Sequence, residues 1–294
     1  MIQLIMIAAG LALWVAAPLA AAPSATVDPP RDRANPAANI QLLVPSHGVG
    51  MNALFFRASG AGPKPTMLLL HGLPGNERNL DLAQAVRRAG WNVLTFTYRG
   101  AWGSPGRFSI ENAVADAGAA LAYLRTPDAA ARFGVDRRRL VIAGHSMGGL
   151  AAALTAAQDR ELAGTVLLDA WDIGATADWM NADRARHRAM FIAETNDLGH
   201  ALVGATAESL ADEVLARGPG WHLTHRAAAL ARAPLLTIYA SDGIAADNRA
   251  LAAAVDRQPG ARLKAIEIAS DHSFADSRIK LAQAVVDWLA ALPR

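Results

Sequence analysis

The 294-residue chain contains no cysteine and little charge. Without cysteine it cannot form disulfides, thiolate metal sites or a lipid anchor attached through a thiol. Only 18% of its residues are charged and 52% are hydrophobic, which favours a packed globular protein over a disordered one. The net charge is +2 and the basic residues are scattered, so no nucleic-acid surface is predicted. The length allows one large domain or two small ones.

Charged side chains are also missing from residues 1 to 22, which are almost wholly apolar. An apolar run that ends in Ala20-Ala21-Ala22 is typical of a secretory signal with its cleavage site near Ala22, so we expect export to the periplasm or the medium. The run has no Lys or Arg near its start, and Pro23 would follow the cut. The alternative is an uncleaved membrane anchor of about 19 residues. Residues 23 to 39 are predicted to be a mobile linker.

The domain is predicted to span residues 40 to 294, where short apolar runs alternate with helical patterns. This alternation is typical of βα units around a mostly parallel sheet. An antiparallel hairpin is expected at its start, and the strands are predicted at Ile40 to Val44, Ala53 to Ala58, Thr66 to Leu70, Trp91 to Thr97, Arg139 to Ala143, Thr165 to Leu168, Leu235 to Ala240 and Leu263 to Ile268. Residues 171 to 231 show helical patterns without a convincing strand, so we predict a helical cap inserted there.

The most informative motif is a Gly-x-Ser-x-Gly sequence that follows an apolar run and precedes an Ala-rich helical segment, Gly144-His145-Ser146-Met147-Gly148. A nucleophile elbow needs this order, because its serine occupies a strained turn between a strand and a helix. A simple βα turn has the same pattern by chance. The other parts of a catalytic site therefore have to decide between the two interpretations.

An activated serine needs a histidine base and an acid that orients the histidine. Downstream of Ser146, Asp242 follows one predicted strand and His272 follows the last one. The order Ser, Asp, His is the one expected when the nucleophile sits on a strand-turn-helix elbow. We predict Ser146 as nucleophile, His272 as base and Asp242 as acid. Asp247 is the rival acid, although it already suits the N-cap of a helix.

A negative charge develops on the attacked carbonyl oxygen, and backbone N–H groups can stabilise it. One donor is predicted to be the amide of Met147, at the start of the helix after the nucleophile. The second is expected in the loop His71-Gly72-Leu73-Pro74-Gly75, where we assign Leu73 because proline has no N–H to donate.

With these residues the chain resembles the α/β-hydrolase superfamily. The segments that carry the resemblance are His71 to Gly75, Tyr98 to Gly106, Gly144 to Gly149, Ser241-Asp242 and Asp271 to Phe274. It implies an eight-stranded, mostly parallel sheet with helices on both faces and a site at the carboxyl ends of the strands. The segment Tyr98 to Gly106 is similar to that of the prolyl-oligopeptidase-like and dienelactone-hydrolase-like branches. The chain departs from the pattern at Ala240, where glycine is common, and in the short loop to Asp242.

The sequence therefore predicts a serine hydrolase, without cofactor or metal, that cleaves carboxylic esters through an acyl-enzyme. Its partner is a small ester or short peptide, and no obligate protein partner is implied. No propeller is visible in the sequence, which favours esters over peptides; a peptidase or amidase is the alternative, and a non-catalytic binding protein is a third. Arg99 and Trp102 are candidate substrate contacts. His222 and His225 could hold a metal, but no acidic residue at helical spacing supports that.

Overall fold

A computed structural model describes residues 24 to 293. The predicted signal segment lies outside the described residues. Residues 24 to 37 are irregular, but Ala25 is buried and its amide donates to Gln283 Oε1 at 3.0 Å. No helix within residues 24 to 293 is long and apolar enough to cross a bilayer.

One eight-stranded sheet forms the centre of the molecule, in the order β1-β2-β4-β3-β5-β6-β7-β8. Its strands are β1 (Ala38–Ser46), β2 (Val49–Arg57), β3 (Lys64–Leu70), β4 (Asn92–Phe96), β5 (Val135–His145), β6 (Gly164–Leu168), β7 (Leu235–Ala240) and β8 (Leu263–Ile268). Strands β1 and β2 form the expected antiparallel hairpin, β2 also pairs antiparallel with β4, and all later pairs are parallel. The predicted eight-stranded, mostly parallel sheet is confirmed.

The sheet is buried on both faces because successive residues of its central strands point to opposite sides. In β3, Leu68 and Leu70 join one core cluster, whereas Met67 and Leu69 join the other. Each of these side chains is at most 1% exposed. Burying one of them contributes about 1.5 to 3 kcal/mol, so the central strands hold the carboxyl edge of the sheet firmly.

Ten α-helices lie among the described residues. They are α1 (Leu80–Arg88), α2 (Ile110–Arg125), α3 (Pro127–Phe133), α4 (Met147–Gln158), α5 (Ile173–Ala182), α6 (Arg184–Thr195), α7 (Ala207–Arg217), α8 (Ala227–Leu230), α9 (Ala245–Asp256) and α10 (Arg278–Ala290). Buried residues of α2 and α4 belong to one core cluster, and those of α1 and α10 belong to the other. Helices therefore cover both faces.

Between β6 and β7 the described chain is helical, with α5 to α8 and the 3₁₀ segments Asn196–Ala201, Gly218–Gly220 and Thr224–Arg226. This region is held to the loop after β4 by backbone hydrogen bonds. Trp102 N donates to Ala201 O at 3.1 Å, and Val203 N donates to Gly100 O at 2.7 Å. The helical segment is thus fixed beside the carboxyl edge of the sheet.

Candidate active site

Ser146 occupies the sharp turn between β5 and α4. Its backbone has φ 55° and ψ −122°, a conformation that residues with a side chain rarely adopt. The turn is held by its own peptide groups, because Ser146 N donates to Leu168 O and the Ser146 carbonyl accepts from Trp171 N, both at 3.0 Å. Such strain persists only where the surrounding structure fixes it, and it is concentrated at functional sites.

Close packing explains the glycines around this serine. A Cβ atom on Gly144 would lie 2.0 Å from Gly148 O, and one on Gly148 would lie 2.5 Å from His71 O. A Cβ on Gly149 would lie 2.6 Å from Ala170 Cβ. The strand and helix can meet at this angle only if these side chains are absent. The motif therefore forms an elbow and not a loose βα turn.

His272 lies in the loop after β8 and is hydrogen-bonded to a buried carboxylate. Its Nδ1 is 2.5 Å from Asp169 Oδ2. Asp169 directly follows β6 and is fully buried, whereas 42% of the His272 side chain is exposed. A buried carboxylate requires partners, and this one is satisfied by His272 and by N–H groups on its other oxygen. The pair matches the base and orienting acid of a catalytic triad.

The prediction that Asp242 orients His272 is therefore corrected. Asp242 is exposed, and its Oδ1 accepts a hydrogen bond from Ser241 Oγ at 3.2 Å. The rival Asp247 lies in the first turn of α9, where burial, followed by the charge of Asp172, raises the pKa of its carboxyl. Strands β6 and β7 are parallel and end on the same edge of the sheet, so either could carry the acid, and the carboxylate that bonds to His272 follows β6. Strand β6 is the direct neighbour of β5, which carries the serine.

His145 connects the serine to the histidine loop. Its Nε2 donates to the backbone carbonyl of His272 at 2.8 Å, and the two imidazole rings are 4.7 Å apart. Since His145 precedes Ser146, this places His272 beside the elbow. Ser146 Oγ makes no hydrogen bond with any residue of the described range. Catalytic hydrogen bonds are often long before substrate binds, so the arrangement is consistent with proton transfer from Ser146 to His272.

The loop after β3 lies directly over the serine. A Cβ on Gly72 would be 2.9 Å from Ser146 Cβ and 3.4 Å from Ser146 Oγ. In the part of the chain that the structure describes, the amides of Leu73 and Met147 donate to no other residue. Met147 N is also the first amide of α4, where a helix favours negative charge. Both N–H groups are therefore free to donate to an oxyanion. This role, predicted from the sequence, stays a prediction.

Hydrogen bonds from aromatic side chains and from His71 hold this loop in place. Tyr98 Oη donates to His71 O at 3.0 Å, and Trp102 Nε1 donates to Pro74 O at 2.8 Å. His71 is 1% exposed, and its Nδ1 donates to Gly72 O at 2.7 Å. The residues on either side of Leu73 are thus anchored by bonds that leave the Leu73 amide free.

A model of the alpha/beta hydrolase family matches residues 67 to 284 of this chain. That span contains the elbow, Asp169 and His272. The chain belongs to the alpha/beta hydrolase family.

Two curated relatives share part of this alpha/beta hydrolase's sequence. An uncharacterized protein of Mycobacterium tuberculosis (strain H37Rv) is 31% identical over 137 residues, which are 46% of this chain and 47% of the relative. The quorum-quenching protein AidA of Acinetobacter baumannii (strain MDR-ZJ06) is 32% identical over 137 residues, which are 45% of this chain and 43% of AidA. The chain thus matches about half the length of these relatives.

Solved structures share the fold of this alpha/beta hydrolase at low identity. The carboxylesterase EstE1, cloned from a metagenomic library, is 20% identical with a TM-score of 0.59, over 92% of each chain. Dienelactone hydrolase from Anabaena variabilis is 15% identical with a TM-score of 0.56, over 88% of this chain and 99% of that chain. These similarities show the shared architecture and do not identify a substrate.

The structure gives Arg99 a structural partner rather than a free position at the site. Its backbone amide and its Nε donate to the two oxygens of Asp116, at 2.9 and 2.5 Å. Asp116 is fully buried and also accepts from Ser46 Oγ at 2.6 Å. Removing the guanidinium would leave a buried carboxylate without its counter-ion. These bonds show a structural role for Arg99, and its contact with substrate stays a prediction.

Trp102 is placed beside the oxyanion loop. Besides its bond to Pro74, its ring lies 5.5 Å from the Arg78 guanidinium carbon and 6.3 Å from the His200 ring. The indole therefore supports the loop from the side that faces the helical segment. Its contact with substrate stays a prediction.

His222 and His225 lie close together between α7 and α8, with ring centroids 4.7 Å apart. His222 Nε2 is 3.3 Å from Asp178 Oδ2, and its Nδ1 is 3.9 Å from Asp172 Oδ1. Residues 24 to 293 contain no group of three or more His, Asp or Glu side chains arranged to hold a metal ion.

Acid is expected to destabilise the fold through two buried histidines. Burial is the main cause that lowers the pKa of His71 and of His145 from 6.5 to about 4, and the neighbouring His272 contributes to the lowering for His145. As the pH falls through 6.5, the unfolded chain binds protons that the folded chain does not bind until about pH 4. Unfolding free energy therefore falls across this window, by about 2 to 3 kcal/mol for each histidine.

Urea unfolding near neutral pH and near pH 4.5 measures this loss. In His145→Gln, whose amide can still donate to His272 O, the loss should be smaller by the contribution of one histidine. An identical pH dependence in the two proteins would show that His145 does not stay neutral when folded.

Proposed function

We propose that the protein is a serine hydrolase that cleaves carboxylic esters through an acyl-enzyme. The observation that carries the proposal is the joint placement of a strained Ser146, on an elbow at the carboxyl edge of the sheet, and a His272 held by buried Asp169 at 2.5 Å. Family membership and the esterases among the structures that share its fold support a hydrolytic role.

In this mechanism Ser146 Oγ attacks the ester carbonyl carbon while His272 Nε2 accepts the hydroxyl proton. Asp169 holds Nδ1–H, so Nε2 is the free acceptor. The carbonyl oxygen becomes negative, and the amides of Leu73 and Met147 donate to it. His272 then returns the proton to the leaving alkoxide, and the C–O bond of the ester breaks to give an acyl-serine. Water then attacks the acyl-serine carbonyl carbon while His272 accepts its proton, and His272 returns that proton to Ser146 Oγ as the acyl C–O bond breaks and the carboxylic acid leaves.

We propose esters rather than amides as the substrates. The similar structures include esterases and a dienelactone hydrolase, which supports this choice. A dienelactone is a cyclic ester, so lactones belong in any substrate panel. The proposed partner is a small molecule, and the apolar residues 1 to 22 lead us to propose that the protein acts outside the cytoplasm.

A fluorophosphonate probe tests the central claim, because it reacts with an activated serine and spares ordinary ones. We expect stoichiometric labelling that peptide mapping locates at Ser146, and no labelling of the urea-unfolded protein. Well-folded protein that resists the probe would favour a non-catalytic binding role.

A panel of p-nitrophenyl acyl esters, lactones and aminoacyl anilides then separates esterase from amidase. We expect turnover of at least one ester class that exceeds turnover of the anilides. Hydrolysis confined to the anilides would replace the ester proposal with a peptidase or amidase.

A further inference from the structure

Asn248 lies on α9 and is not one of the three residues of the proposed triad, Ser146, His272 and Asp169. Its side chain nevertheless contacts Asp169 directly. Its Nδ2 is 3.3 Å from Asp169 Oδ1. It is 1% exposed, so its amide has been removed from water and needs protein partners.

The same side chain holds the residue that follows the acid. Asn248 Oδ1 accepts from Ala170 N at 3.1 Å, and its Nδ2 donates to Ala170 O, also at 3.1 Å. Nδ2 further lies 3.2 Å from Ile244 O. The orientation of the amide follows from these partners. If it were flipped, Oδ1 would face three acceptor oxygens and Nδ2 would face a donor.

These hydrogen bonds of Asn248 lie at a strained part of the backbone. Asp169 has φ 39°, which is unfavourable for a residue with a side chain. Its amide donates to Ile238 O at 2.7 Å, which fixes the residue on one side, and Asn248 fixes Ala170 on the other. The carboxylate is thereby held with Oδ2 towards His272.

We propose that Asn248 is a positioning residue for the catalytic acid, an inference that rests on the proposed serine hydrolase mechanism. It donates to Asp169 Oδ1, keeps Oδ2 for His272 Nδ1, and maintains the strained turn at residue 169. Ala240 N also donates to Oδ1, at the same distance of 3.3 Å, so the loss of Asn248 leaves Oδ1 with one donor instead of two and removes the bonds that fix Ala170. The carboxylate can then rotate away from the imidazole.

The test uses the full chain with Asn248→Leu, which keeps the number of side-chain heavy atoms and the branch at Cγ and removes the amide. Asn248→Ala is a second variant in case leucine does not fit. We expect kcat to fall roughly 10- to 100-fold with KM nearly unchanged, the range seen when partners that orient metal-bound ligands are removed. The acid limb of the kcat/KM profile should move to lower pH, because a carboxylate that rotates away from His272 stabilises the imidazolium less.

Asn92 offers a matched control. It is fully buried at the start of β4, where its Oδ1 accepts from Ala58 N at 3.0 Å and its Nδ2 donates to Gly134 O at 3.0 Å. Asn92→Leu should lower the free energy of unfolding as Asn248→Leu does, because both remove buried amide hydrogen bonds. It should leave kcat per folded molecule and the pH profile unchanged.

A proton NMR measurement keeps this inference separate from the serine proposal. The Nδ1–H of His272 should give a far-downfield signal in the wild type and in Asn92→Leu, and that signal should move upfield or vanish in the Asn248 variants. If the signal, kcat and pH profile survive in a folded Asn248 variant, the positioning role is refuted. If the signal is lost but wild-type Ser146 never reacts with the probe, the serine mechanism fails and the placement of Asp169 by Asn248 stands.

Discussion

Replacing Ser146 with alanine is expected to lower kcat for a p-nitrophenyl ester by roughly 10⁶-fold, the loss known for removal of a serine nucleophile in subtilisin. Without Oγ no acyl-enzyme can form, and only the oxyanion donors and substrate binding remain. The Leu73 and Met147 amides do not depend on the side chain at position 146, so KM should change little. The measurement is steady-state hydrolysis, together with loss of fluorophosphonate labelling.

The substitution should not unfold the protein, because alanine is smaller than serine and the backbone bonds of the elbow do not involve Oγ. Ser209→Ala is a suitable control. Ser209 lies in the helical segment between β6 and β7, where it forms a capping box with Thr206 at the start of α7, so its loss affects helix stability alone. A folded Ser146→Ala protein with near wild-type activity would place the nucleophile elsewhere.

Much of the fold can be predicted from the sequence where local patterns coincide with burial. Strands β7 and β8 have the predicted bounds, and helix α4 begins at Met147 as predicted. Strand β7 is buried throughout, and β8 is marked by an apolar-rich run although most of its residues are at least partly exposed. Strand β5 begins at Val135, before its predicted start at Arg139, and the prediction missed this part because residues 136 to 138 are polar and exposed or partly exposed. Apolar periodicity cannot detect residues that pair as a strand without being buried.

The serine and the histidine could be predicted because each is marked by its local sequence. Ser146 has a glycine motif that only an elbow requires, and His272 follows the last strand closely. The acid has no such mark. Asp169 and Asp242 both follow buried strands, and a linear sequence does not say which strand end faces the histidine. The signal that favours Asp169 is its immediate attachment to a strand whose residues are all buried, since Asp242 comes two residues after its strand.

The contact of Asn248 with Asp169 could not be predicted from the sequence for a different reason. A polar residue in the second turn of a helix normally faces water, and its own sequence context does not reveal burial. Only the fold, in which α9 lies close enough to the residues after β6 for Asn248 to bond to Asp169 and Ala170, reveals this contact.

Asp169→Asn is expected to lower kcat/KM by roughly 10⁴-fold, as for the corresponding change in a serine protease triad. The carboxamide fits the same space, but its NH₂ group can donate to His272 Nδ1. The proton would then reside on Nε2, which could no longer accept the serine proton. Asp169 is fully buried, so its substitution should not alter the surface that binds substrate. The effect should therefore be on kcat far more than on KM.

The two acids that the sequence favoured supply the comparison. Asp242→Asn and Asp247→Asn should each retain kcat/KM within about twofold, since His272 Nδ1 is hydrogen-bonded to Asp169 and to neither of them. Asp242 is also exposed, and substitutions at exposed positions rarely have large effects. All three proteins should show the same near-ultraviolet circular dichroism. A large loss in Asp242→Asn, with Asp169→Asn close to wild type, would mean that the histidine loop exchanges Asp169 for Asp242 during catalysis.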